Sequence, residues 1–196
     1  NLFHYGVYDA RYSPAFSFLL VSGLLALTDR WWTAPSIGAS LALGVVAALV
    51  VLGRHPNVVF LALVPLWGLG SWRDVGRRLR ELAARPGGMA LAGAAATACV
   101  LPQLVLYREA TGFWLVNPYS TPGLAHAASP HLLAVLFGFP KGLFLWSPVL
   151  LLAVAGMVRP AEWVRRARWG SAVALTTQAY LVASWYDWQF GGSFGH

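Results

Sequence analysis

The stretch WYDWQFGGSFGH sets Asp187 between Trp185 and Trp188 and follows them with Gly191, Gly192 and a closing histidine. A carboxylate near a hydroxyl can act as a general base, and a Gly-Gly pair lets backbone turn tightly at a surface. Asp187, Gly191 and Gly192 are therefore candidates for substrate contact, with Phe194 and His196 turned over the same place. The turn GRHPN offers Arg54 and His55 between two apolar blocks. A guanidinium stays charged and presents its donors as a fixed fork, which suits a lipid phosphate; a snorkelling arginine at the end of a span is the plainer alternative. Lys141, the only lysine, lies between Pro140 and Gly142. It reads as a second phosphate ligand or as an interfacial anchor with Trp146 as aromatic partner. Asp9, among Tyr5, Tyr8 and Tyr12, is a candidate catalytic carboxylate or a merely solvated one. Tyr119 and His131 belong to REATGFWLVNPYSTPGLAHAASPH, the longest polar connection in the chain; loops of this length are usually functional or disordered.

The common signatures for zinc hydrolysis, nucleotide binding and serine hydrolysis are missing, so the sequence points to no metal and no firm cofactor. Cys99 is the lone cysteine and sits inside an apolar span. One copy of the chain can form neither a disulfide nor a thiol zinc site.

The elements that must position these residues are membrane helices by composition. Of 196 residues, 58% are hydrophobic and 11% charged, against about 25% charged in soluble domains. Six apolar blocks approach the roughly 20 residues a spanning helix needs: Pro14 to Thr28, Pro35 to Gly53, Val58 to Trp72, Gly87 to Tyr107, Gly142 to Val158 and Trp169 to Trp185. Leu132 to Phe139 is too short to span and reads as an interfacial or re-entrant helix. Small residues in GGMALAGAAATAC permit close helix approach. The expected fold is all-α, a polytopic helical bundle of about six spans in one membrane domain over 1–196, cut from a longer protein at both ends.

The net charge of +7 is explained by its distribution. Arg73, Arg77, Arg78, Arg80 and Arg85 fall in one loop and Arg159, Arg165, Arg166 and Arg168 in another, the positive-inside pattern of a bacterial-type inner membrane protein. No aromatic and basic reading surface accompanies them, so nucleic acid is not an expected partner. With both arginine loops cytoplasmic, alternation puts residues 1–13, 53–57, 108–131 and the C-terminal stretch together on the opposite face.

The ordered set LALGVVAALVVLGRHPNVVFLALVP, LPQLVLYREATGFWLVNPYS, SPHLLAVLFGFPKGLFLWSPVLLLAVAGM and SWYDWQFGGSFGH resembles the middle and later membrane region of the GT-C glycosyltransferases. The nearer likeness is to bacterial relatives of dolichyl-phosphate-mannose protein mannosyltransferases and of aminoarabinose lipid A transferases. The resemblance implies an enzyme that moves a sugar from a polyprenyl-phosphate carrier to a glycan, lipid or protein acceptor on the non-cytoplasmic face. It implies phosphate contacts at Arg54, His55 and Lys141. Asp9 corresponds to a secondary acidic position, and the main carboxylate is expected upstream, so the chain alone is expected to be inactive. A transporter or flippase for a lipid-linked or small polar substrate is the alternative. Transporters place ionisable residues at the bilayer midplane, whereas Asp9, Arg54, Lys141 and Asp187 all fall at one edge. An inert membrane scaffold would have no need of the long aromatic loop.

Overall fold

The computed structural model describes residues 13–116, 123–140 and 142–189. Asp9, Tyr119, Lys141, Gly191 and Gly192 lie outside the described residues. Within them every regular element is helical: α1 (Ser13–Thr33), α2 (Ile37–Gly53), a 3₁₀ segment (His55–Ala62) running into α3 (Leu63–Leu66), a 3₁₀ turn (Trp72–Asp74) leading into α4 (Val75–Ala83), α5 (Pro86–Thr111), α6 (Leu132–Phe137), α7 (Leu143–Trp146), α8 (Val149–Gly156) and α9 (Glu162–Ser184).

α2 stands at the centre, with α1 and α5 against it, while α9 packs on the 3₁₀ segment, α3 and α6. Its start follows from Pro35-Ser36: Ser36 takes extended backbone and its hydroxyl accepts the Ala39 N–H at 3.1 Å, a standard N-cap. The buried core joins Leu24 and Trp31 of α1, Ala39, Leu43 and Val50 of α2, and Leu63 of α3. On its other face α2 meets α5 through small residues. A Cβ built on Gly44 would fall 2.1 Å from the Ala92 carbonyl oxygen, so no larger residue fits while the two backbones stay this close.

α5 is the one described helix long and apolar enough to cross a membrane by length and composition; Ile37–Gly53 and His55–Leu66 are apolar but shorter. It tolerates Pro102 in its interior, at the cost of one backbone hydrogen bond. Two expected spans are not continuous helices. The Val58 to Trp72 block begins inside a 3₁₀ segment and stops at Leu66, giving roughly 22 Å of helix from His55 onward. Gly68 then turns with φ +74°, a conformation that glycine adopts without strain. The Gly142 to Val158 block breaks at Ser147-Pro148 into α7 and α8, because proline cannot donate to the preceding turn. By contrast α1 and α9 outrun their apolar blocks, each adding polar residues at the arginine-rich end.

That end is held by tryptophans and a carboxylate. Asp29 accepts from the indole N–H of the buried Trp67 at 3.1 Å and from Arg166 at 3.2 Å, joining α1, the residue after α3, and α9. The Gly68 N–H donates to the Arg166 carbonyl at 2.7 Å, and the Trp169 indole to the Gly70 carbonyl at 2.9 Å. Arg85 donates to the Trp31 carbonyl at 3.0 Å, with its guanidinium 4.7 Å from the Trp32 ring centre. It thereby satisfies a carbonyl that the last turn of α1 would leave unpaired, and sets a cation at the negative end of that helix. Both arginine loops thus meet at one end of the bundle. The 53–57 turn lies at the other, where the side chain of buried Asn57 donates to the Ser17 hydroxyl at 3.1 Å.

Candidate functional site

The site is built where the polar loop folds back on the end of α9. Three backbone hydrogen bonds make the joint: His126 N–H to the Ser184 carbonyl at 2.9 Å, His131 N–H to the Ala183 carbonyl at 2.9 Å, and Tyr186 N–H to the Gly123 carbonyl at 2.8 Å. The acceptors at Ala183 and Ser184 belong to the last turn of α9, whose carbonyls have no partner within the helix. Tyr180 adds a fourth tie, its hydroxyl donating to the Ala127 carbonyl at 2.9 Å. Gly123 closes the loop with φ +56° and lies under the Trp185 ring, where a Cβ would sit 3.8 Å from it.

This joint stacks three rings. The His131 imidazole lies on the Trp188 indole with centroids 4.6 Å apart and planes 20° from parallel. His126 meets His131 edge-on at 4.6 Å and 73°. All three are half-buried, and Asp187 is half-buried in the turn that carries Trp188. Beneath them the Ser184 hydroxyl is fully buried with no hydrogen-bond partner among the described residues. Two imidazoles side by side can donate to and accept from hydroxyl or phosphate oxygens, and the indole and imidazole faces form a flat platform beside them.

Of the residues expected from sequence, the structure brings His131 and Asp187 into this one place. Arg54 and His55 are exposed at the turn between α2 and the 3₁₀ segment, and among the described residues no hydrogen bond or ion pair joins either side chain to His131. Among the described residues that flank Lys141, the Gly142 N–H donates to the Gly138 carbonyl at 2.6 Å, and the Trp146 indole donates to the Phe139 carbonyl at 2.8 Å. His126 and Ser184 were not singled out by the sequence. His126 and His131 stand five positions apart, a spacing with no meaning until both backbone N–H groups are docked on α9. Among the described residues no three histidine, cysteine or acidic side chains are grouped to hold a metal ion.

At the opposite end the charges are mostly paired and shaped for structure. Arg78 is buried over the Trp32 ring at 4.0 Å and paired with Glu81 at 2.8 Å. Burial pulls its guanidinium below the usual arginine value, with Glu81 opposing. Arg77 is held above it, first by the hydrogen bond to Glu81, and Arg166 by its hydrogen bonds to Glu162 and then Asp29. The Ser71 backbone N–H holds the Asp74 carboxyl below its usual range, in a reciprocal capping box with the Ser71 hydroxyl.

No family profile, curated protein or solved structure matches this chain.

Proposed function

We propose that the chain is the multi-pass membrane part of a glycosyltransferase of GT-C type, seated in a bacterial-type inner membrane, which moves a sugar from a polyprenyl-phosphate carrier to an acceptor at the end opposite the arginine loops. The observation that carries it is the segregation of polar chemistry. Arginines crowd one end, the His126, His131, Trp188 and Asp187 joint occupies the other, and the helix interiors between hold no Asp, Glu, Lys or Arg. A flippase or transporter would need ionisable groups along that middle stretch. Membrane embedding is further supported by α5, and by outward apolar side chains such as Leu106 at 63%, Val149 at 66% and Leu152 at 72% exposure.

In this reading the Trp188–His131 platform holds the flat face of the sugar, and the imidazoles hydrogen-bond its hydroxyls or the phosphate. Arg54, His55 and Lys141 gather the lipid phosphate. A carboxylate takes the proton from the acceptor hydroxyl as its oxygen bonds the anomeric carbon, and the bond from that carbon to the phosphate oxygen breaks. Asp9 and Asp187 are the candidates for contact with the acceptor.

Binding of a non-hydrolysable polyprenyl-phosphate sugar analogue tests the site. Replacing His131 with Ala or Arg54 with Ala is expected to weaken it by roughly tenfold or more, the worth of a charge-assisted hydrogen bond. Unchanged affinity in both variants removes the donor site from this end of the molecule.

A further inference from the structure

Between α8 and α9, at the arginine end, the structure leaves an open groove of about 640 Å³. Its walls are apolar, with Leu152, Ala155 and Gly156 on one side and Trp163, Val164 and Ala167 on the other, and it is lined at the helix ends by Arg159 and Arg168. Among the described residues, these two arginines are the cations of this loop without a carboxylate partner. Arg168 donates to the Met157 carbonyl at 2.7 Å and to the Arg159 carbonyl at 3.0 Å, which pins the end of α8 to α9. Arg159 is exposed, and its side chain has no hydrogen bond or ion pair among the described residues. The neighbouring carboxylate, Glu162, is already engaged by Arg165 and Arg166.

We propose that this groove seats one anionic phospholipid of the surrounding membrane, an acyl chain lying between α8 and α9 and the charged headgroup meeting Arg159 and Arg168. The proposal rests on the membrane embedding proposed above. The volume falls within the range of sites that hold a small organic ligand, and the apolar walls give a water-soluble anion nothing to bury. Charge selects among lipids. The arginine end carries Arg30, Arg73, Arg77, Arg78, Arg80, Arg85, Arg159, Arg165, Arg166 and Arg168 against Asp29, Asp74, Glu81 and Glu162. A zwitterionic headgroup would leave that excess standing, whereas an anionic one offsets it where Arg159 and Arg168 sit without a carboxylate partner among the described residues.

The test is lipid retention by the purified chain in mild detergent, read by native mass spectrometry after exposure to vesicles of phosphatidylglycerol and phosphatidylcholine in equal amounts. Phosphatidylglycerol is expected to be retained over phosphatidylcholine by roughly tenfold or more, from about 1 kcal/mol for each arginine near the headgroup. Arg159→Gln is expected to abolish most of that preference. Gly156→Leu is expected to reduce retention of both lipids, since a Cβ at Gly156 meets no atom within 4 Å and the added side chain fills the groove without disturbing the fold. Equal retention of the two lipids, displacement by millimolar inorganic phosphate, or wild-type retention in both variants overturns the proposal. Alkaline carbonate extraction separates this from the reading beneath it. A chain released from membranes loses the embedding and the lipid seat together, and one that pellets yet shows no headgroup preference loses the seat alone.

Discussion

Asp29 is the single side chain that ties most of the arginine end together, and its two partners respond differently to substitution. Asp29→Asn keeps an oxygen for the Trp67 indole while losing the charge that meets Arg166. Asp29→Ala leaves an indole N–H at 1% exposure with no acceptor, which costs about 1–3 kcal/mol. Chemical denaturation is therefore expected to rank wild type above Asn above Ala. Equal stability of the two variants would show that the indole does not depend on this carboxylate. Gly123 is the corresponding residue at the other end. Gly123→Ala forces a Cβ into φ +56°, which costs roughly 1–2 kcal/mol, and it should raise hydrogen exchange at the His126 and Tyr186 amides while the α2 amides stay protected. Asp74 sets a pH dependence whose sign follows from its lowered carboxyl. The capping box over the 3₁₀ turn Trp72–Asp74, which leads into α4, is intact above the ordinary value near 3.8 and is lost as pH falls through the lower folded value. Acid loosening of that turn is expected to vanish in Asp74→Asn, as read by exchange of the Ser71 amide, which donates to the Asp74 carboxylate.

Among the elements, the α2–α5 contact is the closest and is expected to be the least forgiving. Gly44→Leu must push Ala92 away and should cost about 1–3 kcal/mol or more by overpacking. Gly93→Leu, next to Ala92 on α5 but with nothing within 4 Å of its Cβ, should be tolerated. A thermal melt of both variants checks the pair, and equal losses would mean that α5 does not rest on α2 at Gly44. The helices that sequence patterning located best are those with a sharp physical start or a long uniform interior: α2 behind Pro35-Ser36 and α5 behind Pro86. Hydropathy was blind to what happens inside a block. Val58 to Trp72 is as apolar as its neighbours, but Pro56, Pro65 and Gly68 make it a 3₁₀ segment and a short α-turn. Pro148 divides α7 from α8 in the same way. Of the site, His131 and Asp187 were legible as polar residues in an apolar chain. The His126–His131–Trp188 stack was not, because it depends on three backbone hydrogen bonds between segments about 60 residues apart in the chain.

At the scale of the whole molecule, the chain is a bundle with two chemically different ends. The arginine end is structural and, by our proposal, faces an anionic leaflet; the other presents imidazoles, indoles and a carboxylate. Embedding predicts that a membrane-impermeant maleimide, with Cys99 replaced by Ser, labels a cysteine placed at exposed Ala128 on intact cells but one at exposed Arg80 only after lysis. Labelling of both positions on intact cells would refute the orientation. Sugar transfer is tested most directly by following a polyprenyl phosphate carrying a labelled sugar in membranes that contain the whole enzyme of which this chain is, by our proposal, the membrane part. Release of free polyprenyl phosphate in step with a labelled acceptor, lost in His131→Ala, is the predicted result. An intact labelled donor that merely moves from one side of the vesicle to the other would contradict it.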